Sequence, residues 1–315
     1  MKLYGVIALH VHGEAIMRSP RFVDKLKRAF GVTPDLHSGR MRAALEATAI
    51  VEGVRDAMRR LGVTNAIALV IDDTVLFHDT HAQPDDLGDL FLAFHDNAPV
   101  FGTGFDELRL TVEHREGDLH LVAEVQARSE HPREEAAVRV VVSARIDALT
   151  PRAGEDADAF RARATPVASD KAALAFYEAQ FATFVGRMRD ALAATMPTAR
   201  VEIEVAEPRI VRPQVQAPRP QSPDARNYDP YDAYFPTPLG IAANAFLWSA
   251  LFSMALPPHV TVVDSANHVE GYTDDTGIEA GATEPSADAG GSWWEDTGGD
   301  DSGFDAGGWD FGGTD

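Results

Sequence analysis

Three stretches of strict apolar–polar alternation constrain this chain more than any other feature. Leu108, Leu110 and Val112 alternate with Arg109, Thr111 and Glu113. After Glu116-Gly117-Asp118, Leu119, Leu121, Ala123 and Val125 alternate with His120, Glu124 and Gln126. Val138, Val140, Val142 and Ile146 repeat the pattern. Successive strand side chains point to opposite faces, so each stretch predicts a strand with one face on a core. The links between them are too short for a crossover helix, which leaves an antiparallel meander.

The neighbouring segments supply more strands and the cover for them. Lys2 to Val11 reads as a strand, and Ala66 to Ile71 as a second, more continuously apolar one. A short helix is expected over 19–30, with Ser19 as N-cap and Pro20 at its first position. In the longer segment 40–61, Ala47, Ile50, Val51, Val54, Met58 and Leu61 form one helical stripe. A further helix is expected over 85–95. A long one runs from a cap at Ser169 to about Ala194, its stripe formed by Leu174, Tyr177, Phe181, Phe184, Val185, Met188 and Leu192. Val201, Ile203 and Val205 predict a last strand. The fold class expected is α+β: a two-layer domain with a mainly antiparallel sheet of about six strands and helices on one face.

Beyond residue 211 the character of the chain changes. Eight prolines between Pro208 and Pro238 predict an extended tether over 212–237. Within it Tyr228, Tyr231 and Tyr234 recur every third residue, the repeat of a polyproline II helix, and would align on one edge. Strapping onto the chain's own domain and docking to a partner are both consistent with that edge. Pro238 then opens an uncharged stretch, Leu239 to Leu256, closed by Pro257-Pro258. From Asp264 the composition is Gly, Asp, Thr, Ser and Ala, with too little apolar surface to offset backbone ordering. The organisation expected is thus a globular domain over 1–211, a Pro/Tyr-rich tether over 212–237, an apolar helix and short extended segment over 238–263, and a disordered acidic tail over 264–315.

Charge is segregated in the same way. Arg226 is the last basic residue, and 16 of the 49 acids follow it. The portion before it is nearly balanced, which lacks the basic footprint of a nucleic-acid binder. The chain has no cysteine, so thiol chemistry and Cys-ligated metals are excluded. The opening MKLYGVIALHVHGE does not read as a signal peptide, and the cytoplasm is the expected location.

Catalytic candidates are few. His10-Val11-His12 ends the first strand, and alternate positions place both imidazoles on one face. Asp72-Asp73 ends another strand, and His78 and His81 follow. An H-x-H at the end of strand one resembles the start of metal-dependent hydrolases of the amidohydrolase and PHP type. Apart from that resemblance, imidazoles and carboxylates from different strand ends are the candidates for a zinc or manganese site acting on a bound water, with His10, His12, His78 and His81 as candidate ligands and Asp72 or Asp73 as candidate catalytic carboxylates. Three consecutive antiparallel strands do not fit the barrel such enzymes use. The LYGVI opening is similar to that of some gas-vesicle accessory proteins over five residues, too few to assign a family.

The apolar stretch has its own alternatives. Eighteen residues rise about 27 Å as a helix, just short of a bilayer core of roughly 30 Å. Ala245, Ser249 and Ser253 offer a small-residue face for close helix contact, with Trp248 on the opposite side. The tail carries Trp293, Trp294 and Trp309 among acids, in the manner of short interaction motifs. The reading expected is a non-catalytic binding or scaffold protein, with a protein partner or a second copy and no cofactor. The alternatives are the metal-dependent hydrolase and a cytoplasmic domain held to a membrane through 239–256.

Overall fold

The meander forms, and it sits in the middle of a much wider sheet. The structure is a computed structural model and describes residues 1–11, 39–80, 86–90, 93, 106–128, 136–213, 222–223, 225, 227–235, 240–254, 260–274 and 277–279. The strands are β1 (Lys2–Val11), β2 (Asn65–Ile71), β3 (Thr74–His78), β4 (Glu107–Glu116), β5 (Leu119–Arg128), β6 (Val138–Ile146), β7 (Ala199–Val211), β8 (Thr261–Val263), β9 (Val269–Asp274) and β10 (Gly277–Glu279). They join in one ten-stranded sheet, in the order β10-β9-β8-β7-β1-β6-β5-β4-β2-β3. Every pairing is antiparallel except the three-residue match of β7 with β8.

Turn chemistry explains the tight reversals. Gly117 links β4 to β5 at φ +59°, where a side chain would be strained. Asp72 and Asp73 link β2 to β3 with φ of 46° and 62°. Two positive φ values in a two-residue hairpin match the right-handed strand twist, and Asp is among the few non-glycine residues that tolerate them. The Asp72 carboxylate also accepts from the N–H groups of Asp106 and Glu107 at 2.8 and 2.9 Å. The long β7 passes through Pro208, opposite Leu3 of β1 and just before Arg209 to Val211, the three residues that pair with β8.

The helices α1 (Gly39–Leu61), α2 (Ala157–Ala168), α3 (Lys171–Thr195) and α5 (Gly240–Met254) pack with the sheet in one apolar core. Leu3, Ile7 and Leu9 of β1 meet Phe181, Phe184 and Val185 of α3 in that core. Gly5 permits the approach, since a Cβ there would stand 3.2 Å from Val185 Cγ2. The short α4 (Pro230–Tyr234) lies on the opposite face, against β5 and β6.

Several expectations are revised. The sheet has ten strands rather than six. β8 is the short extended segment expected before residue 264, while β3 and β10 are short and β9 carries Gly, Asp and Thr, so none of these three shows a clear alternation. Asp170 caps α3, accepting from the N–H groups of Ala172 and Ala173, while Ser169 ends α2, a helix the reading missed. The chain divides into units of 1–282 and 283–315, so the sheet outlasts the expected domain end at 211. Residues 264–274 and 277–279 belong to the sheet and its turns, not to a tail. The expected helix over 19–30 and the tail beyond 279 lie outside the described residues.

Candidate functional site beneath the strap

The sheet face opposite the helices is polar in its centre, and its side chains lie in register. Lys2, Arg145, His120 and Arg115 form one cross-strand row. Tyr4, Ser143, Val122 and Glu113 form the next, and Val6, Val141, Glu124 and Thr111 a third. Ordinarily such a face is solvated. Here Lys2, Thr111, His120, Glu124, Ser143 and Arg145 are buried, because residues 227–235 cross over them as a strap.

Asp229 is the anchor. Its side chain is fully buried, and Oδ2 accepts from Lys2 Nζ at 3.0 Å and Arg145 Nη2 at 2.9 Å. Its other oxygen accepts from Tyr231 N and so caps α4, with Pro230 at the first helical position. Asp232, one turn on, also pairs with both Arg145 and Lys2. Two cations meet two carboxylates, so the cluster closes without net charge. The cations beside Asp229 hold its carboxyl well below the usual range, although burial alone acts in the opposite direction. The same pairing pushes Arg145 above its ordinary value against a burial effect that would lower it. The Arg145 guanidinium also lies 4.3 Å from the Tyr231 ring centroid, and Arg209 lies 3.7 Å from that of Tyr4.

The tyrosines reach further along the face. Tyr4 donates to the Tyr228 carbonyl at 3.1 Å, and Tyr228 donates to Glu124 Oε2 at 3.1 Å. Thr111 Oγ1 also donates to that oxygen at 3.1 Å and sits 3.2 Å from the Tyr234 hydroxyl. Gln126 Nε2 supplies Glu124 Oε1 at 2.9 Å and bonds the Pro223 carbonyl at 3.1 Å. Burial raises the Glu124 carboxyl, and its donors work against that rise. Beyond the strap, Asn267 donates to the Asn227 carbonyl at 2.9 Å and ties the strap to the turn between β8 and β9.

One arrangement here has the form of catalytic machinery. His120 Nε2 is 2.7 Å from Glu113 Oε1, and its Nδ1 is 2.8 Å from the Tyr231 hydroxyl. A carboxylate only accepts, so Nε2 carries a proton; in the neutral imidazole Nδ1 then accepts from Tyr231. A carboxylate–imidazole–hydroxyl chain can activate a nucleophile when the hydroxyl is accessible and its pKa is lowered. Tyr231 is buried, and desolvation pushes its phenol up to about 12. Phe235 closes over the imidazole edge-on, 4.8 Å between ring centroids. These three residues therefore bind the strap down rather than offer a nucleophile.

The sequence candidates fall elsewhere. His10 is the next-to-last residue of β1, with Nε2 4.0 Å from Glu202 Oε2. Asp72 shares its level along the sheet but lies beyond β6, β5 and β4, so the two are separated by about 19 Å at the usual strand spacing. Asp73 faces Arg109 at 3.6 Å, and His78 ends the outermost strand. His12 and His81 lie outside the described residues. His10 and Asp72 are therefore not brought together, and among the described residues no group of three or more His, Asp or Glu is placed to hold a metal.

Of the tether tyrosines, Tyr228 and Tyr231 are buried and Tyr234 half-buried. Tyr231 and Tyr234 stand in one turn of α-helix rather than in polyproline II, because the Asp229 cap and Pro230 nucleate it. In α5, Trp248 is 1% exposed and packs with Leu247 and Leu251 in the core, while Ser249 is exposed and Ala245 half-buried. Leu247, Trp248 and Leu251 face the protein together with the small Ala243, while Ser249 faces away. Phe246 meets Phe160 of α2 at 5.8 Å between ring centroids. Among the described residues no helix is long and apolar enough to cross a membrane. Ser253, Trp293, Trp294 and Trp309 have no described side chain. Lys2, His120, Arg145 and Asp229 were missed by sequence reasoning. The available signal was the run of ionisable residues on the polar side of otherwise regular strands. Comparison with protein-family models, with curated proteins and with solved structures finds no match.

Proposed function

We propose that this chain is a non-catalytic binding or scaffold protein. The wide sheet is its rigid platform, and the acidic, Trp-bearing segment after residue 282 engages basic protein partners. The observation that carries the reading is the closure of the polar sheet face by the chain's own strap. The side chains best suited to chemistry, Glu113, His120, Glu124 and Tyr231, are consumed in holding Tyr228 to Phe235. Charge segregation supports the choice of partner, since no Lys or Arg follows Arg226. The aromatic residues supply the apolar anchors that charge alone lacks.

The test uses a fluorescent Arg-rich peptide and the full chain in 150 mM salt. The expected outcome is saturable binding that is weakened at least tenfold by Trp293→Ser/Trp294→Ser/Trp309→Ser, with every acid retained. Equal affinity of the parent and the triple variant would reduce the tail to a diffuse counter-charge and remove the reading.

A further inference from the structure

The apolar stripe of α3 contains one residue that does not belong in it. Leu174, Phe181, Val185, Met188 and Leu192 are all buried, at spacings that repeat every three or four residues. Glu178 occupies the position between Leu174 and Phe181 in that series. A carboxylate there faces the protein, where an aliphatic side chain would ordinarily sit.

Beside it is a cleft of about 310 Å³ between α3 and the outer part of β7. Leu3 and Phe181 form its apolar floor. Ala175, Ala179 and Ala182 keep the helix side low, and Ala206 and Pro208 line the strand side. The Glu178 Oε1 atom is sealed from solvent and has no hydrogen-bond partner. The surrounding charges are committed elsewhere. Glu207 and Arg209 of β7 pair with each other at 2.8 Å, and Arg209 stacks on Tyr4 on the far face. Lys2 of β1 is turned to Asp229. On α3 itself, Lys171 is exposed and two turns away.

We propose that this cleft binds a small aliphatic amine, whose ammonium group donates to Glu178 and whose alkyl chain lies on Leu3 and Phe181. An ammonium in the cleft supplies the counter-charge that the half-buried Glu178 carboxylate lacks, and such charge-assisted contacts are the strong ones. A neutral alcohol supplies no counter-charge, and an anion is repelled. The volume is at the lower end for small-molecule sites and suits a ligand of a few carbons. Burial raises the empty Glu178 carboxyl to about 6. The ammonium binds the carboxylate form, so affinity falls as pH drops through that value.

The experiment is calorimetric titration of the full chain with n-hexylamine, with 1-hexanol and an acetylated, amidated lysine as comparison probes, in 150 mM salt. The acidic C-terminal segment attracts any amine weakly, so the readout is the difference made by Glu178→Gln. At pH 7.5 that variant binds hexylamine at least tenfold more weakly while hexanol is unchanged. From pH 7.5 to pH 5 the parent loses about tenfold in affinity and Glu178→Gln loses little. Ala182→Leu, which fills the cleft and leaves the carboxylate in place, abolishes binding. Equal binding of hexylamine and hexanol, retention of the pH dependence in Glu178→Gln, or no effect of Ala182→Leu each overturns the proposal. Preference for the lysine derivative over hexylamine overturns it also, by making the site a peptide side-chain pocket.

Discussion

Asp229 shows how much one residue can decide. Removing one partner of a buried ion pair leaves the other uncompensated in low dielectric, which costs about 3–5 kcal/mol. Asp229→Ala strands both Lys2 and Arg145 and is expected to lose an amount of that order, measured by urea unfolding at pH 7. Adding Arg145→Met should restore part of it, so the double variant is less unstable than the two losses summed. The pH dependence has a definite sign. Asp229 titrates below the ordinary carboxylate range in the fold, so its contribution is present above about pH 4 and is lost as pH falls further. Glu178 acts in reverse. Its raised pKa means that the folded chain holds a proton which the unfolded chain releases between about pH 4.5 and 6. Stability from this group therefore declines as pH rises through that window. Unfolding at pH 4.5 and 7.5 should show Glu178→Gln gaining on the parent at the higher pH.

At the level of elements, α5 is the clearest case. Its side chains are almost uniformly apolar, so periodicity does not say which face is buried. The fold answers that with Leu247, Trp248 and Leu251 inward and Ser249 outward. Trp248→Ala should cost about 3–5 kcal/mol through lost burial and a cavity. Ser249→Asp, one residue along, should change stability by no more than about 0.5 kcal/mol, as surface substitutions usually do. Both are read by chemical denaturation, and a large loss from Ser249→Asp would place that face in contact. The strap shows a similar sensitivity. Tyr231→Phe removes the hydroxyl bonded to His120 and should cost about 1–3 kcal/mol, because it leaves a buried imidazole nitrogen without its donor.

For the whole molecule the strap and β8 to β10 are structural parts, not accessories. A chain ended at Val211 uncovers Lys2, Tyr4, His120, Glu124 and Arg145 and loses Trp248 from the core. It is expected to bind a hydrophobic dye and to lack a cooperative melting transition. A chain ended at Ala282 keeps the whole of the first unit and should melt as one transition. A cooperative, dye-free fragment 1–211 would show that strap and sheet extension are dispensable.

Sequence by itself determined the central strands, the two long helices α1 and α3, and the uncharged α5. Each of these is set by local periodicity and by the capping and breaking residues around it. It also determined the charge segregation, which is a matter of composition. Only the tertiary structure decided that Tyr228 to Phe235 close a polar face, that Trp248 points inward, and that His10 and Asp72 stand four strands apart. Those facts depend on strand order and on pairings between residues more than 80 positions apart, such as Asp229 with Arg145 and with Lys2. Periodicity says which side of a strand is polar. What comes to lie on that side is set by where the rest of the chain can bury its own charges and apolar surface.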